Sequence, residues 1–475
     1  MIRKFFSGAL ILMSLILISC QEDFDDVRIP SSTLEINDFV YEAMFGFYFY
    51  KSDIPDLAND RFSSDIDYTN YLSQFSEPEL IFDNLLFAED RFSIIVEDYR
   101  VLENNSQGLS LSNGMRFGLV RISGTNQVFG YVRYVVPNSP AEAAGVQRGM
   151  VFAQVSGQNL TDTNFIDLLS PQQYSIGLAE LQNSELVLTG EVIDLTKIDL
   201  TENPIHIAKT LDINGQSIGY LMYNAFRSNF DSELNQAFGD FLANGVTELV
   251  LDLRYNGGGS VETAKDLSSM ITGQFNGDLY AIERFNENFQ DIELFFDDLT
   301  AGDQNINNLN LSRVFILTTG SSASASELVI NALSPYIDVI QIGTNTVGKF
   351  QGSVLIYDSP EFVNKQNINI NHFYAIQPLI FEIENAEGFT GFEDGLVPDF
   401  EQEEDFFNLG ILGEPSEPLL NRALVEIGVG FQPNPSEEAE KLTSNSSFKI
   451  ISESGAEQMD YQHMYDDSIK TSMFK

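Results

Sequence analysis

A cluster of serines and a later lysine stand in one stretch, Val314 to Ser353. These are the serines Ser321, Ser322, Ser324 and Ser326, and then Lys349 between Gly348 and Phe350. A serine hydroxyl is a poor nucleophile near neutral pH and needs a base. The chain has three histidines, His206, His372 and His463, and none stands in a pattern that marks a triad member, although folding could bring His372 close. Lysine can take the base's role when partial burial lowers its pKa. Between Lys265 and Lys441 only Lys349 and Lys365 occur, and Lys349 leaves a buried strand beside an apolar residue. Pattern alone does not say which serine would react. Taken by itself the stretch reads more readily as a structural turn than as a Ser/Lys pair.

The elements around these residues could place them together. Val314–Leu317 has the composition of a buried strand, Ala325–Leu333 that of a helix with one apolar side, and Val339–Ile342 that of a second buried strand. The serines then lie at a strand's carboxyl end and a helix's amino end, where free N–H groups favour developing negative charge. A second strand, Leu249–Arg254, runs into Gly257-Gly258-Gly259 and a helix over Val261–Ile271. Three glycines suit close approach of backbone to a ligand or a reacting oxygen. Gly219–Phe226 reads as a further strand and Ser232–Asn244 as a helix stopped by Gly245. Strands alternating with crossover helices from 219 to 343 give an α/β core with sites at strand carboxyl ends. Residues 273–311 read as a covering insertion and 371–430 as the completion of the core.

Ahead of the core, residues 34–105 read as helical, with Asn37 or Asp38 capping the first helix and another helical pattern over Leu80–Phe87. From Gly114 short strands take over. Ser139-Pro140 with Glu142 and Gly145 reads as a short capped helix. Residues 191–215 read as a bridge, and the Ser/Glu-rich tail from 431 as mobile.

The amino terminus pairs Arg3 and Lys4 with an apolar run, Phe5–Ile18, of 14 residues. That is short of the ~20 residues needed to span a bilayer and fits a signal peptide. Cys20 is the one cysteine, so disulfides within the chain and zinc-thiolate sites are excluded. The net charge of −45 over 475 residues makes nucleic acid and anionic lipid poor partners. Metalloprotease, nucleotide P-loop and dinucleotide signatures are missing, so no cofactor or metal is expected.

Three resemblances sharpen this reading. Leu17-Ile18-Ser19-Cys20 resembles a bacterial lipobox with Cys20 the lipidated residue, an ordinary signal peptide being the alternative. The acidic run after it weakly resembles a surface-export signal. The string from Val136 to Gly149 resembles the PDZ domains of bacterial proteases, with Met150 a departure from the usual Asp. It implies that Phe117, Gly118 and Leu119 form the loop holding a peptide's C-terminal carboxylate, the peptide adding as a strand. LDLRYNGGG, GSSASASE and GTNTVGK, in that order, resemble the C-terminal processing (tail-specific) serine-lysine peptidases of the lipid-anchored type, over residues 34–430.

That last resemblance implies an α/β catalytic core of Clp-protease- or crotonase-like ββα units, with a PDZ domain and a small N-terminal helical domain. The domains would be a lipoprotein signal peptide (1–19), an acidic tether (20–33), the helical domain (34–108), the PDZ domain (112–192), the catalytic core (205–430) and a polar tail (431–475). Ser324 would be the nucleophile and Lys349 the base, with the N–H groups of Gly258 and Ala325 as the oxyanion hole. Many relatives carry Gln four residues after the lysine; Ser353 stands there, and would orient the amine. The implied protein is an endopeptidase on the bacterial envelope, anchored in the outer membrane through Cys20, cutting proteins near free C-termini, with oligomers open. The alternatives are a lipid-anchored PDZ peptide-binding protein with an idle peptidase core, and a His372-based triad hydrolase.

Overall fold

The computed structural model describes residues 30–182, 185–431, 448–456, 458, 461–466 and 468–469. Cys20, the signal segment and most of the tether lie outside them. Among the described residues no helix is long and apolar enough to cross a membrane.

The core is a six-stranded sheet. Its order is Ile205–Ile213, Gln216–Tyr223, Glu248–Asp252, Arg313–Thr318, Asp338–Gly343 and Phe400–Glu401. The first two strands form a hairpin and the rest run parallel. The central strands are apolar through their middles, as in Leu249–Leu251 and Val314–Leu317, because helices cover both faces. Asp231–Ala243, Val261–Ile271 and Ala325–Leu333 supply the apolar cluster on one side, and Pro418–Ile427 packs on the other. The stretch expected to be a covering insertion is a hairpin, Leu279–Phe285 with Ile292–Phe295, in a second sheet. That sheet runs Gly259–Ser260, Met464–Tyr465, Gln351–Ser353, Leu379–Asn385, Leu279–Phe285, Ile292–Phe295.

The amino-terminal helices pack directly on the core. Thr33–Phe47 is capped by Ser32, whose Oγ accepts from the Glu35 N–H while Glu35 accepts from the Ser32 N–H. The expected caps, Asn37 and Asp38, fall inside the helix. Asn37 is buried and donates instead to the Leu72 and Phe75 carbonyls, fixing the next helix. Phe39, Met44, Phe47 and Tyr48 pack into the same apolar cluster as Leu221 and Val329 of the core. Strand Ile94–Val96 pairs with Ala375–Gln377.

The β-rich unit has its own apolar centre around Phe117, Val132, Phe152 and Ile176. Its sheet runs Phe448–Glu453, Met115–Ile122, Val128–Val135, Val151–Val155, Gln173–Gln182, Glu185–Thr196. The helix Pro140–Ala143 starts at Ser139 as its sequence requires. Residues 191–215 run as strands from this sheet into the core sheet, and part of the tail expected to be mobile is an edge strand of this sheet.

Units and core are joined by buried charge. Arg254, wholly buried, donates to Asp252, Glu404 and Glu417 at 2.6–3.0 Å, and Arg148 of the β-rich unit reaches Glu404 at 3.1 Å. Burial opposes the charge on Glu404, but Arg148 and Arg254 hold its carboxyl at about 2. Glu417 also caps the helix Pro418–Ile427 by accepting from the Leu420 N–H. Arg254→Ala removes the cation that three buried carboxylates share and should cost about 3–5 kcal/mol of unfolding free energy. Denaturant titration measures it, and a loss within the scatter of a surface substitution would contradict the role.

Candidate active site

Ser324 follows the strand Arg313–Thr318 and stands immediately before the helix Ala325–Leu333, with φ 66° and ψ −116°. A non-glycine residue in that region is strained, and such strain persists only where surrounding bonds over-determine it. The four serines of this turn have separate fates. Ser321 donates to Glu453, Ser322 to the Leu253 carbonyl at 2.8 Å and Ser326 to the Asn256 carbonyl at 3.0 Å. Ser324 Oγ, wholly buried, has no hydrogen-bond partner among the described residues.

What holds the strained turn is Glu327, fully buried one turn into the helix. Its Oε2 accepts from the N–H of Ser324 at 2.7 Å and of Lys349 at 2.9 Å. Its Oε1 accepts from Thr346 Oγ1 at 2.6 Å and from the Gly348 N–H at 2.7 Å. One carboxylate therefore ties the serine turn to the lysine loop. Burial raises the Glu327 carboxyl's pKa and these four bonds work against it.

Lys349 is wholly buried and its amine has no hydrogen-bond partner among the described residues. Burial lowers its pKa to about 7, against the opposing pull of Asp90 and Glu327. Nζ lies 4.5 Å from the centre of the Phe92 ring. The loop that presents this ring is wound on Asp90, which accepts from the N–H of Phe92 and of Ser93 at 2.9 Å each. The amino-terminal segment thus completes the lysine's surroundings.

Gly258 faces the serine. A Cβ there would lie 2.6 Å from Ser324 Cβ and 2.9 Å from Ser324 Oγ, and at Gly259 one would lie 2.0 Å from the Phe226 carbonyl oxygen. The run of glycines is thus required by close approach of backbone. The Gly258 N–H donates to Asn256 Oδ1 at 2.9 Å, and Ala325 opens the helix beside Ser324.

Other expected residues are placed differently. Ser353 does not hydrogen-bond Lys349; its Oγ donates to the Met464 carbonyl and accepts from Gln377, both at 2.8 Å. Phe117, Gly118 and Leu119 are not a loop but part of the strand Met115–Ile122, paired on one edge with Val128–Val135 and on the other with Phe448–Glu453. His372 is bonded to Asp358 at 2.8 Å and packs near Phe39, away from any serine contact. His463, set aside as part of the tail, is the histidine at the site. Burial and the Lys349 charge push its pKa well below the ordinary value, and its carbonyl oxygen lies 3.0 Å from the Cβ position of Gly258.

The reading from pattern missed Glu327, Asp90, Phe92 and His463. Glu327 carried a signal, because it stands three residues after Ser324 at capping-box spacing. The others had none, being brought in by folding alone.

Residues 217–369 match the model of peptidase family S41, and residues 35–94 that of the peptidase S41 N-terminal domain. The chain is similar to the chloroplastic C-terminal processing peptidase of Tetradesmus obliquus, 26% identical over 56% of this chain and 57% of that one. A probable CtpA-like serine protease of Staphylococcus epidermidis is 25% identical over 45% of this chain and 40% of its own. The chain thus spans about half the length of the curated relatives it matches. Among solved structures, a putative S41 protease from Bacteroides fragilis superposes with a TM-score of 0.65 and 27% identity, covering 82% of this chain and 97% of that one. The core and the amino-terminal segment are thus similar to those of peptidase family S41 over residues 217–369 and 35–94, and the chain shares the fold of a solved S41 protease.

Proposed function

We propose that the chain is a serine endopeptidase in which Ser324 is the nucleophile and Lys349 the general base. The observation that carries this reading is the pairing of an unpartnered buried hydroxyl with an unpartnered buried amine. Their backbones are locked to the same oxygen of Glu327. A lysine base must be neutral when substrate arrives, and an amine with a pKa near 7 is neutral in a large fraction of molecules at physiological pH.

In this reading Lys349 Nζ takes the proton from Ser324 Oγ as the oxygen attacks the scissile carbonyl carbon. The N–H groups of Gly258 and Ala325 receive the negative oxygen that develops; one such donor is typically worth ~3 kcal/mol of transition-state stabilisation. For this the Gly258 N–H must exchange Asn256 Oδ1 for the oxyanion. The protonated amine then passes its proton to the leaving nitrogen, and water hydrolyses the acyl-serine by the reverse route. Ser353, whose hydroxyl is held between the Met464 carbonyl and Gln377, would position the amine once substrate replaces that carbonyl.

The β-rich unit is read as a PDZ-type domain that gathers substrate C-termini through the Phe117–Leu119 strand. Cys20 is read as the lipidated residue anchoring the protein at the bacterial envelope. A second reading, a peptide-binding protein with an idle peptidase, is favoured by the Gly258 N–H being engaged by Asn256. Peptide binding without turnover by the wild type would select it.

Digestion of an unfolded protein by the soluble chain tests the first reading. Ser324→Ala and Lys349→Ala should each lower kcat by roughly 10⁴-fold or more, and equal cleavage by all three forms would exclude the assignment. Because the reactive form of Lys349 is the neutral one, kcat should rise as pH climbs through about 7 and then level. A rate that declines over that climb would contradict a lysine base. Glu327→Gln replaces two acceptors by one acceptor and an amide that faces backbone N–H donors. It should cost about 1–3 kcal/mol in stability and more in kcat than in KM. Unchanged steady-state kinetics would show that Glu327 does not set the geometry.

A further inference from the structure

The tail occupies both places where this reading puts substrate. Strand Phe448–Glu453 adds to the free edge of Met115–Ile122, with Ser452 opposite Leu119 and Glu453 opposite Gly118. Ser454 closes the pairing, its N–H donating to the Phe117 carbonyl and its Oγ accepting from the Phe117 N–H, both at 2.9 Å. Further on, Met464–Tyr465 fills the gap between Gly259–Ser260 and Gln351–Ser353, with Gly259 opposite Met464 and Ser353 opposite Tyr465.

The insertion is held along its length. Glu453 receives Arg133 of the β-rich unit, Ser321 of the serine turn and Tyr461 of the tail. Ser353 Oγ donates to the Met464 carbonyl at 2.8 Å, and Met464 and Ile469 are buried in the main apolar cluster. The His463 carbonyl lies against Gly258. The space left beside the glycine turn is about 120 Å³, lined by Arg116, Arg227 and Gly257 to Gly259. That is less than half of the ~300 Å³ taken by small ligand sites, so tail and peptide cannot share it.

We propose that Phe448–Glu453 and Met464–Tyr465 are a built-in competitor: the chain's own tail binds as a two-part pseudosubstrate, and substrate enters only by displacing it. The inference rests on the reading of Ser324 and Lys349 as the site. A tethered segment presents itself at roughly millimolar effective concentration, so even a weak fit keeps the channel shut to dilute substrate. The resting arrangement agrees. Ser324 Oγ and Lys349 Nζ are not bonded to each other, and the Gly258 N–H is turned to Asn256. Asp466, whose N–H donates to the Ser353 carbonyl, brings its carboxyl beside the buried Glu283. Burial first, and then their mutual charge with Glu262 adding, pushes Glu283 well up. Burial raises Asp466 too, against bonds from the Ser468 N–H and hydroxyl. The seat therefore holds the tail best with a proton on that pair.

Competition by the tail acts on KM and leaves kcat alone. In the full soluble chain, Glu453→Gln loosens the Arg133 and Ser321 contacts and should lower KM for unfolded β-casein several-fold. Arg121→Cys with Lys449→Cys, opposite one another in the strand pair, allows a disulfide that pins the tail. With Cys20→Ser in that chain, oxidation should raise KM about tenfold or more, by making the tethered competitor permanent, and reductant should reverse it. A KM that moves with neither change overturns the proposal. Independently of catalysis, amides of Phe448–Glu453 and Met464–Tyr465 in the Ser324→Ala chain should lose protection from hydrogen exchange at saturating β-casein, and unchanged protection would also overturn it. Should Ser324→Ala cleave as well as the wild type, the catalytic reading falls while the exchange experiment still decides the tail.

Discussion

The buried carboxylate of Glu327 is the constraint on which the site depends. Four donors from two separate loops converge on its two oxygens, so the Ser324 turn cannot relax without releasing the Lys349 loop. A charge buried this deeply is costly unless its acceptor capacity is filled, and here both oxygens are doubly engaged. The serine's positive φ is stabilised in the same way. Its N–H is spent on a charged acceptor, the strongest class of hydrogen bond available to backbone. Rigidity at this point leaves the Ser324 hydroxyl and the Lys349 amine without a hydrogen-bond partner among the described residues.

Around that fixed centre the remaining walls come from far along the chain. The amino-terminal segment supplies Asp90 and Phe92 to the lysine, and the carboxyl-terminal segment supplies His463 to Met464 against the glycine turn. Arg254, at the end of the strand that leads into the glycine turn, locks the other side to Glu404 and Glu417. The amino-terminal segment, the core and Met464 and Ile469 of the tail accordingly share one apolar cluster, while the β-rich unit keeps its own.

Local features were legible in the sequence because they are set by neighbouring residues. The apolar runs around 249 and 314, the helix after Ser324 and the glycines before Val261 all carry their own signals, and each forms as its pattern requires. Choosing among the four serines was not legible from pattern, since their difference lies in partners such as Glu453 and the Leu253 carbonyl. The loop expected at Phe117–Leu119 came from the resemblance to PDZ domains, and the strand's second edge is built by residues such as Ser454, 337 positions from Phe117. The tail's polar composition hid the few apolar groups, Met464 and Ile469, whose burial seats it. Ser32 and Glu35 did carry a capping-box spacing, and the cap placed at Asn37 or Asp38 overlooked it. Ser353 keeps the right position along the chain, but its hydroxyl is taken by the tail.

The central claim is that Lys349 is a neutral base at working pH. It is tested most directly by following the Lys349 side-chain NMR signal through a pH titration of the full soluble chain, with Lys349→Arg to assign the resonance. Burial beside Phe92 predicts a midpoint near about 7, whereas a midpoint at the ordinary lysine value of 10.5 would contradict the account.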